Sequence, residues 1–198
     1  IKHPQSQVYR FGKGREGDSS FLQEVGGKMG MHVQVVNSKK MGEVAVSSSR
    51  IREALIAGQI ENVNQMLGRN YRIYGSVFPG KKMGRSIGFP TMNLDWSPEA
   101  RPAYGVYAGQ VKNLNKGVVL PAVANYGMRP TVEDEADLPK LEIHVLEDLD
   151  ERDWGYDAEI EMSLEFFIRS ESKFSSVEEL TDQISKDINK AKTLLSIP

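Results

Sequence analysis

The chain has 198 residues, 39% hydrophobic and 26% charged, with a formal net charge of −2; this is the balance of one large or two small globular domains and offers no basic face to nucleic acid. It has no cysteine, which excludes disulfides, thiol catalysis and thiolate zinc, and its three widely spaced histidines (His3, His32 and His144) argue against a histidine-rich metal centre. No apolar run approaches the ~20 residues of a membrane helix and no signal-peptide pattern opens the chain, so a cytoplasmic protein without a membrane partner is the default expectation.

Residues 1–69 read as α/β. MHVQVV, residues 31–36, alternates as a short strand should. SSSRIREALIAGQIENVNQMLG, residues 47–68, reads as one helix with Ile51, Leu55, Val63 and Met66 near one stripe. Ser47, Ser48 and Ser49 are candidate N-caps, and Gly68 sits where a helix commonly stops. The character changes at GRNYRIYG, which divides the chain into residues 1–69 and 70–198.

Beyond that point strands dominate. YRIYGSVF, YGVYAGQV, GVVLPAVANY and LEIHVL are short and rich in β-branched or aromatic residues. In YDAEIEMSLEFFI, Ala158, Ile160, Met162, Leu164 and Phe166 alternate with Glu159, Glu161, Ser163 and Glu165, as in an antiparallel sheet with one wet face. The last segment is an amphipathic helix with Val177, Leu180, Ile184, Ile188, Ala191 and Leu195 on one stripe, started by Ser175 or Ser176 with Glu178 and Glu179 following. A closed or nearly closed antiparallel barrel covered by one C-terminal helix is the expected architecture.

The stretch GSVFPGKKMGRSIGFPTMN, residues 75–93, opens like a P-loop but has Lys82 where Ser or Thr should ligate a cation. Gly84, Gly88 and Pro90 then oppose the long helix a P-loop requires. A glycine-rich hairpin is the plain reading. Yet Lys81, Lys82 and Arg85 stand among Gly80, Gly84 and Gly88, a combination that lets backbone and cations approach an anion. Pro90 favours extended backbone at Phe89, and in an extended segment Thr91 and Asn93 project to the same side. Two neutral hard oxygens suit Mg²⁺ if nucleotide phosphates and water complete the shell. In LEIHVL, Leu141, Ile143 and Val145 face one way, and Glu142 and His144 face the other. Glu142 is a candidate general base or an ordinary exposed strand glutamate, and His144 is expected to pack or hydrogen-bond beside the site.

These motifs, together with YGVYAG, NYGMRPT and FFIRSESKF, resemble in order and spacing the riboflavin kinases, the flavokinase domain of bacterial bifunctional riboflavin kinase/FAD synthetases. The likeness covers nearly all of residues 68–195. It implies a six-stranded Greek-key barrel with a helix, and an ATP:riboflavin 5′-phosphotransferase that makes FMN. By resemblance Glu142 activates the ribityl 5′-hydroxyl, Thr91 and Asn93 hold Mg²⁺ and the ATP phosphates, and Gly80, Lys81 and Gly84 meet the nucleotide. Met92 departs from the more usual Ala between the two ligands. Arg129 is open between pinning a loop and meeting a phosphate; Arg169 and Glu171 are expected to form an ion pair or a loop brace, with Phe174 as a core anchor. The acidic runs at residues 133–137 and 147–153 are expected to be solvated loops.

The first part resembles the FMN adenylyltransferase domain of the same family, a Rossmann-like nucleotidyltransferase, through YRFGKGREGD and SSSRIR. The second motif implies triphosphate binding by Ser47, Ser48 and Arg52 at a helix start; serine capping is the alternative. The family's upstream His-x-Gly-His element is absent and the chain begins at Ile1. The expectation is therefore a shortened first domain, with FAD synthesis reserved for a longer parent chain. A non-catalytic flavin- or nucleotide-binding module is the competing functional reading.

Overall fold

The computed structural model describes residues 10–80, 83–94, 96, 98–128, 139–147, 154–156 and 158–197. Lys81, Lys82, Arg129 and the acidic runs at residues 133–137 and 148–153 lie outside them. The chain divides into two compact units between Ser48 and Ser49.

In the first unit, helix α1 (Ser19–Lys28) is capped by Asp18, whose carboxylate accepts from the Phe21 N–H at 2.9 Å. A two-residue hairpin follows, β1 (Lys40–Met41) with β2 (Val44–Ala45). The expected strand at residues 31–36 is not formed. An alternating segment becomes a strand only with a neighbour to bond and a core to cover it; here Met31 is 54% exposed and Val36 81%. The described residues of this unit contain no parallel sheet, so the Rossmann-like half of the expected fold is not seen in them.

In the second unit the expected single helix is two, α2 (Ser48–Ile56) and α3 (Ile60–Leu67). The break is Gly58, at φ +72°, where the backbone turns back and closes on the Phe167 ring. Ala54, Leu55, Ile60, Val63 and Met66 are buried, and Gly68 ends α3 in the left-handed conformation, as its position in the sequence suggests.

Strands β3 (Tyr71–Phe78), β4 (Met92–Leu94), β5 (Gly105–Asn113), β6 (Val119–Gly127), β7 (Lys140–Val145) and β8 (Glu159–Ser170) close into an antiparallel barrel in the order β3-β4-β7-β6-β5-β8. Its interior is filled by side chains such as Ile73, Leu94, Tyr107, Tyr126, Ile143 and Met162. On β8 the alternation holds through Leu164 and then changes phase. Register shifts against β5 at Val106/Tyr107 and Ala108/Gly109 leave Phe166 and Phe167 both partly covered and Ile168 buried. A one-turn helix, α4 (Met83–Ser86), interrupts the β3–β4 connection where a P-loop would carry a full helix.

Helix α5 (Val177–Leu194) begins at Ser176, whose hydroxyl accepts from the Glu179 N–H at 3.2 Å; Glu179 reaches back to the Ser175 N–H and hydroxyl, both at 2.8 Å. Ile188, Ala191, Leu194 and Leu195 pack on Val106, Ala108, Val123 and Ile168 outside the barrel. Val177, expected on the same stripe, is 56% exposed. Among the described residues no helix is long and apolar enough to cross a membrane.

Helices α2 and α3 are bonded to the barrel. Asn64 donates from Nδ2 to the Leu164 carbonyl at 2.9 Å, and its Oδ1 accepts from the Tyr71 N–H at 2.7 Å. The Ala103 N–H donates to the Leu55 carbonyl at 2.8 Å. The compact unit thus starts at Ser49, upstream of the composition change that suggested a division after residue 69. Asn64→Ala is expected to strand two part-buried backbone groups and cost about 1–3 kcal/mol. Thermal denaturation followed by circular dichroism checks this, with a midpoint several degrees lower.

One end of the barrel is aromatic. Tyr126 packs against Trp96 and Tyr104 at ring distances of 5.1 and 5.3 Å, and its hydroxyl has no hydrogen-bond partner among the described residues. Burial, and then the neighbouring Tyr104, pushes its pKa up to about 12. The folded state therefore holds this proton more tightly than the unfolded chain, where tyrosine titrates near ~10. Its contribution is complete below that value and is lost as pH rises towards about 12. Denaturation of wild type and Tyr126→Phe across this range should show the wild type losing more stability.

Candidate active site

Barrel closure aligns residues that are far apart in sequence. Phe78 opposes Asn93, Asn93 opposes Glu142, Glu142 opposes Asn125, Asn125 opposes Val106, and Val106 opposes Arg169. Directly opposed residues in an antiparallel sheet share a face. Leu141, Ile143, Ala124 and Tyr126 alternate with this row and fill the interior, so the row lies on the barrel's outer surface.

Two cavities lie over that surface. The larger, of 380 Å³, is formed between the barrel and α5: Val106, Val123, Asn125, Glu142, His144 and Arg169 contribute the barrel side. Ile87, Phe89, Phe174, Leu180, Ile184 and Ile188 make its walls largely apolar. The smaller, of 320 Å³, is lined by Phe78, Gly80, Arg85, Asn93, Trp154 and Tyr156, among others. Thr91 lines both.

The glycines of the β3–β4 connection have a steric role. A Cβ on Gly80 would overlap the Asn93 side-chain amide, and one on Gly84 would overlap the Phe89 carbonyl and lie 3.4 Å from Thr91 Oγ1. The backbone thus closes on the two oxygen-bearing side chains, and Asn93 is buried although it faces outward. Among the described residues no cluster of three or more His, Asp or Glu could hold a metal. A cation here would take the Thr91 hydroxyl and the Asn93 carbonyl oxygen, a neutral pair suited to Mg²⁺ already carrying phosphate oxygens and water.

His144 forms a 2.8 Å bond between Nδ1 and the Pro90 carbonyl, and Phe89 meets its ring edge-on at 5.8 Å. A carbonyl only accepts, so Nδ1 carries the proton. The imidazole thereby holds the residue preceding Thr91. Of the two roles expected for Arg169 and Glu171, an ion pair or a loop brace, the ion pair is not formed between them: the Arg169 guanidinium meets Asp187 of α5 at 2.8 Å and lies 5.6 Å from the centre of the Phe174 ring. The nearer acid in sequence lost to one that the α5–β8 packing delivers. Ser47 is partly buried; Ser48 and Arg52 are exposed at and near the start of α2, and none of the three lines either cavity. Sequence reasoning missed Asn125 and Asp187. The signal for Asn125 was a polar residue between inward Ala124 and Tyr126; Asp187 offered only a charge near an apolar stripe.

Residues 67–195 match the flavokinase family, described as riboflavin kinase. The chain is 37% identical over 188 residues to the bifunctional riboflavin kinase/FMN adenylyltransferase of Haemophilus influenzae, covering 95% of this chain and 59% of that protein. It is 38% identical over 182 residues to the Escherichia coli K12 protein of the same description, covering 90% and 55%. With the Bacillus subtilis protein it shares 41% over 148 residues, covering 74% and 45%. The chain thus spans about half the length of the curated relatives it matches. A solved structure described as a macrolide-efflux protein from Streptococcus pneumoniae superposes with a TM-score of 0.78 at 26% identity, covering 93% of this chain and 58% of that one.

Gly80→Ala is expected to push the Asn93 amide aside while leaving the barrel intact, since Gly80 follows the end of β3. Calorimetric titration with magnesium–nucleotide should show affinity lower by about tenfold, with the thermal midpoint little changed.

Proposed function

The chain belongs to the riboflavin kinase family, and we propose that its barrel unit transfers the γ-phosphate of ATP to the 5′-hydroxyl of riboflavin, giving FMN and ADP. The observation that carries this reading is the meeting of two cavities at Thr91, with Glu142 lining the larger and Asn93 the smaller. A phosphoryl transfer between two substrates needs this arrangement: two compartments, a carboxylate on the acceptor side and oxygen ligands on the donor side.

The larger cavity receives riboflavin. Its apolar walls, from Phe89, Phe174, Leu180, Ile184 and Ile188, suit the flat isoalloxazine ring, and the ribityl chain runs toward Glu142. The smaller cavity receives ATP, with Gly80 and Arg85 beside its phosphates; Lys81 is assigned to the nucleotide by resemblance, and Gly84, assigned to it likewise, lines the larger cavity next to Thr91. Thr91 and Asn93 hold Mg²⁺, which when bound neutralises charge on the transferring phosphoryl group. Glu142 accepts the proton of the 5′-hydroxyl as that oxygen bonds to the γ-phosphorus; the bond from phosphorus to the bridging oxygen breaks and ADP leaves. Asn125 stands directly opposite Glu142 and lines the same cavity, on the acceptor side. His144 acts through the Pro90 carbonyl and keeps Thr91 in place. Residues 1–69 are assigned by resemblance to the FMN adenylyltransferase part of the family, with Ser47, Ser48 and Arg52 as its triphosphate-binding residues, although those from Ser49 onward belong to the same compact unit as the barrel; the reaction is assigned to the cytoplasm.

Incubation with riboflavin, ATP and Mg²⁺, followed by chromatographic separation of the flavins, tests the proposal. Wild type should form FMN, and Glu142→Gln should be slower by about 10²–10⁴-fold while still binding riboflavin. Equal rates would remove Glu142 as the base. Riboflavin bound without FMN from wild type would leave a binding module in place of a kinase.

A further inference from the structure

Arg169 and Asp187 form a partly buried pair, with side chains 22% and 5% exposed. Asp187 is 4% exposed on the inner side of α5, which meets the barrel through apolar residues including Val106, Val123, Ile168 and Ala191, and through Lys190, whose ammonium donates to the Ile168 carbonyl at 2.8 Å. Replacing ion pairs taken out of water by well-packed apolar groups is often neutral or stabilising, so a pair placed here is weak evidence of a purely stabilising role. Its geometry supplies another. Arg169 Nε lies 3.0 and 2.9 Å from the two Asp187 oxygens, Nη2 lies 2.8 Å from Oδ2, and Nη1 donates to the Ser170 carbonyl at 3.0 Å. Gln183 donates to Asp187 Oδ1 at 2.9 Å, so the carboxylate is fixed from its own helix as well. The guanidinium is thereby oriented over Phe174. Arg169, Glu171, Ser172, Phe174 and Asp187 all line the larger cavity.

We infer that Asp187 is a positioning residue for the flavin: through Arg169 it holds the 169–174 turn and the Phe174 ring as a fixed wall of the riboflavin cavity. The inference rests on the assignment of riboflavin to that cavity. Arg169, engaged by Asp187, Ser170 and Phe174, acts as a brace and not as a phosphate ligand. The effect is confined to one substrate, because none of these residues lines the smaller cavity.

The test compares wild type, Asp187→Asn and the paired apolar replacement Arg169→Met/Asp187→Leu. KM is measured separately for riboflavin and ATP, riboflavin Kd by quenching of flavin fluorescence, and stability by thermal denaturation. Asp187→Asn should raise riboflavin KM and Kd about tenfold, the scale of a displaced binding wall, with ATP KM unchanged. The paired replacement should recover thermal stability without recovering riboflavin affinity, a separation that a merely structural pair would not produce. Unchanged riboflavin Kd in the folded paired variant, or KM values for both substrates rising together with lost stability, would overturn the inference. If wild type binds riboflavin without phosphorylating it, the kinase assignment fails while the Kd comparison still decides the role of Asp187. If wild type binds no riboflavin, both fail.

Discussion

Closure of the barrel in one register is the constraint on which the site depends. In a closed antiparallel sheet every strand is held from both sides, and a slip by one residue would exchange its inward and outward faces. For β7 such a slip would bring Glu142 and His144 into a space occupied by Leu141, Ile143 and Val145, at the expense of burying an unpaired carboxylate. The apolar interior thus enforces the outward row in which Asn93, Glu142 and Asn125 stand side by side. Neither residue neighbouring Glu142 across the strands is near it in sequence. Their juxtaposition follows from packing on the opposite face of the same strands.

A filled interior also decides where ligands can go. Tyr107, Tyr126, Ile143, Met162 and their neighbours leave the barrel no lumen, so the cavities form outside, beneath elements that the barrel carries. Helix α5 covers one side, seated by Ile188 and Ala191. The β3–β4 connection covers the other, and its glycines allow backbone to approach Asn93 and Thr91 where any side chain would intrude. His144 ties the two systems together by holding the Pro90 carbonyl from the adjacent strand. The barrel supplies rigid positions, and the connections supply the walls.

Polar groups in this unit are placed where backbone or geometry requires them. Asn64 satisfies a carbonyl of β8 and an N–H at the start of β3 at once, making α3 part of the barrel unit despite the change in composition between them. Tyr107 donates to the Ala103 carbonyl at 2.6 Å, and burial raises its pKa. Arg169 meets Asp187 beneath α5 through three contacts of 3.0 Å or less. The pair sits at the edge of the larger cavity, where an apolar contact would give adhesion but no fixed orientation.

Much of this was legible along the chain, because alternation, helical stripes and capping depend on residues within a few positions of one another. YRIYGSVF is a strand over its full length, Ser176 and Glu179 start α5, Gly68 stops α3, and the two-residue spacing of Glu142 and His144 places both outside the barrel. Local pattern failed where a distant partner decided the outcome. MHVQVV found no neighbouring strand; Gly58 split a continuous stripe where the chain closes on Phe167; and the β8 alternation changed phase at its bulges with β5. By itself the sequence determined the strand and helix periodicities and the ordered motifs that mark a riboflavin kinase. Only the tertiary structure decided that Asn93 and Asn125 flank Glu142 and that Asp187, not Glu171, receives Arg169. Those pairings are set by the free energy of closing one barrel and seating one helix, a non-local sum that no short window of residues contains.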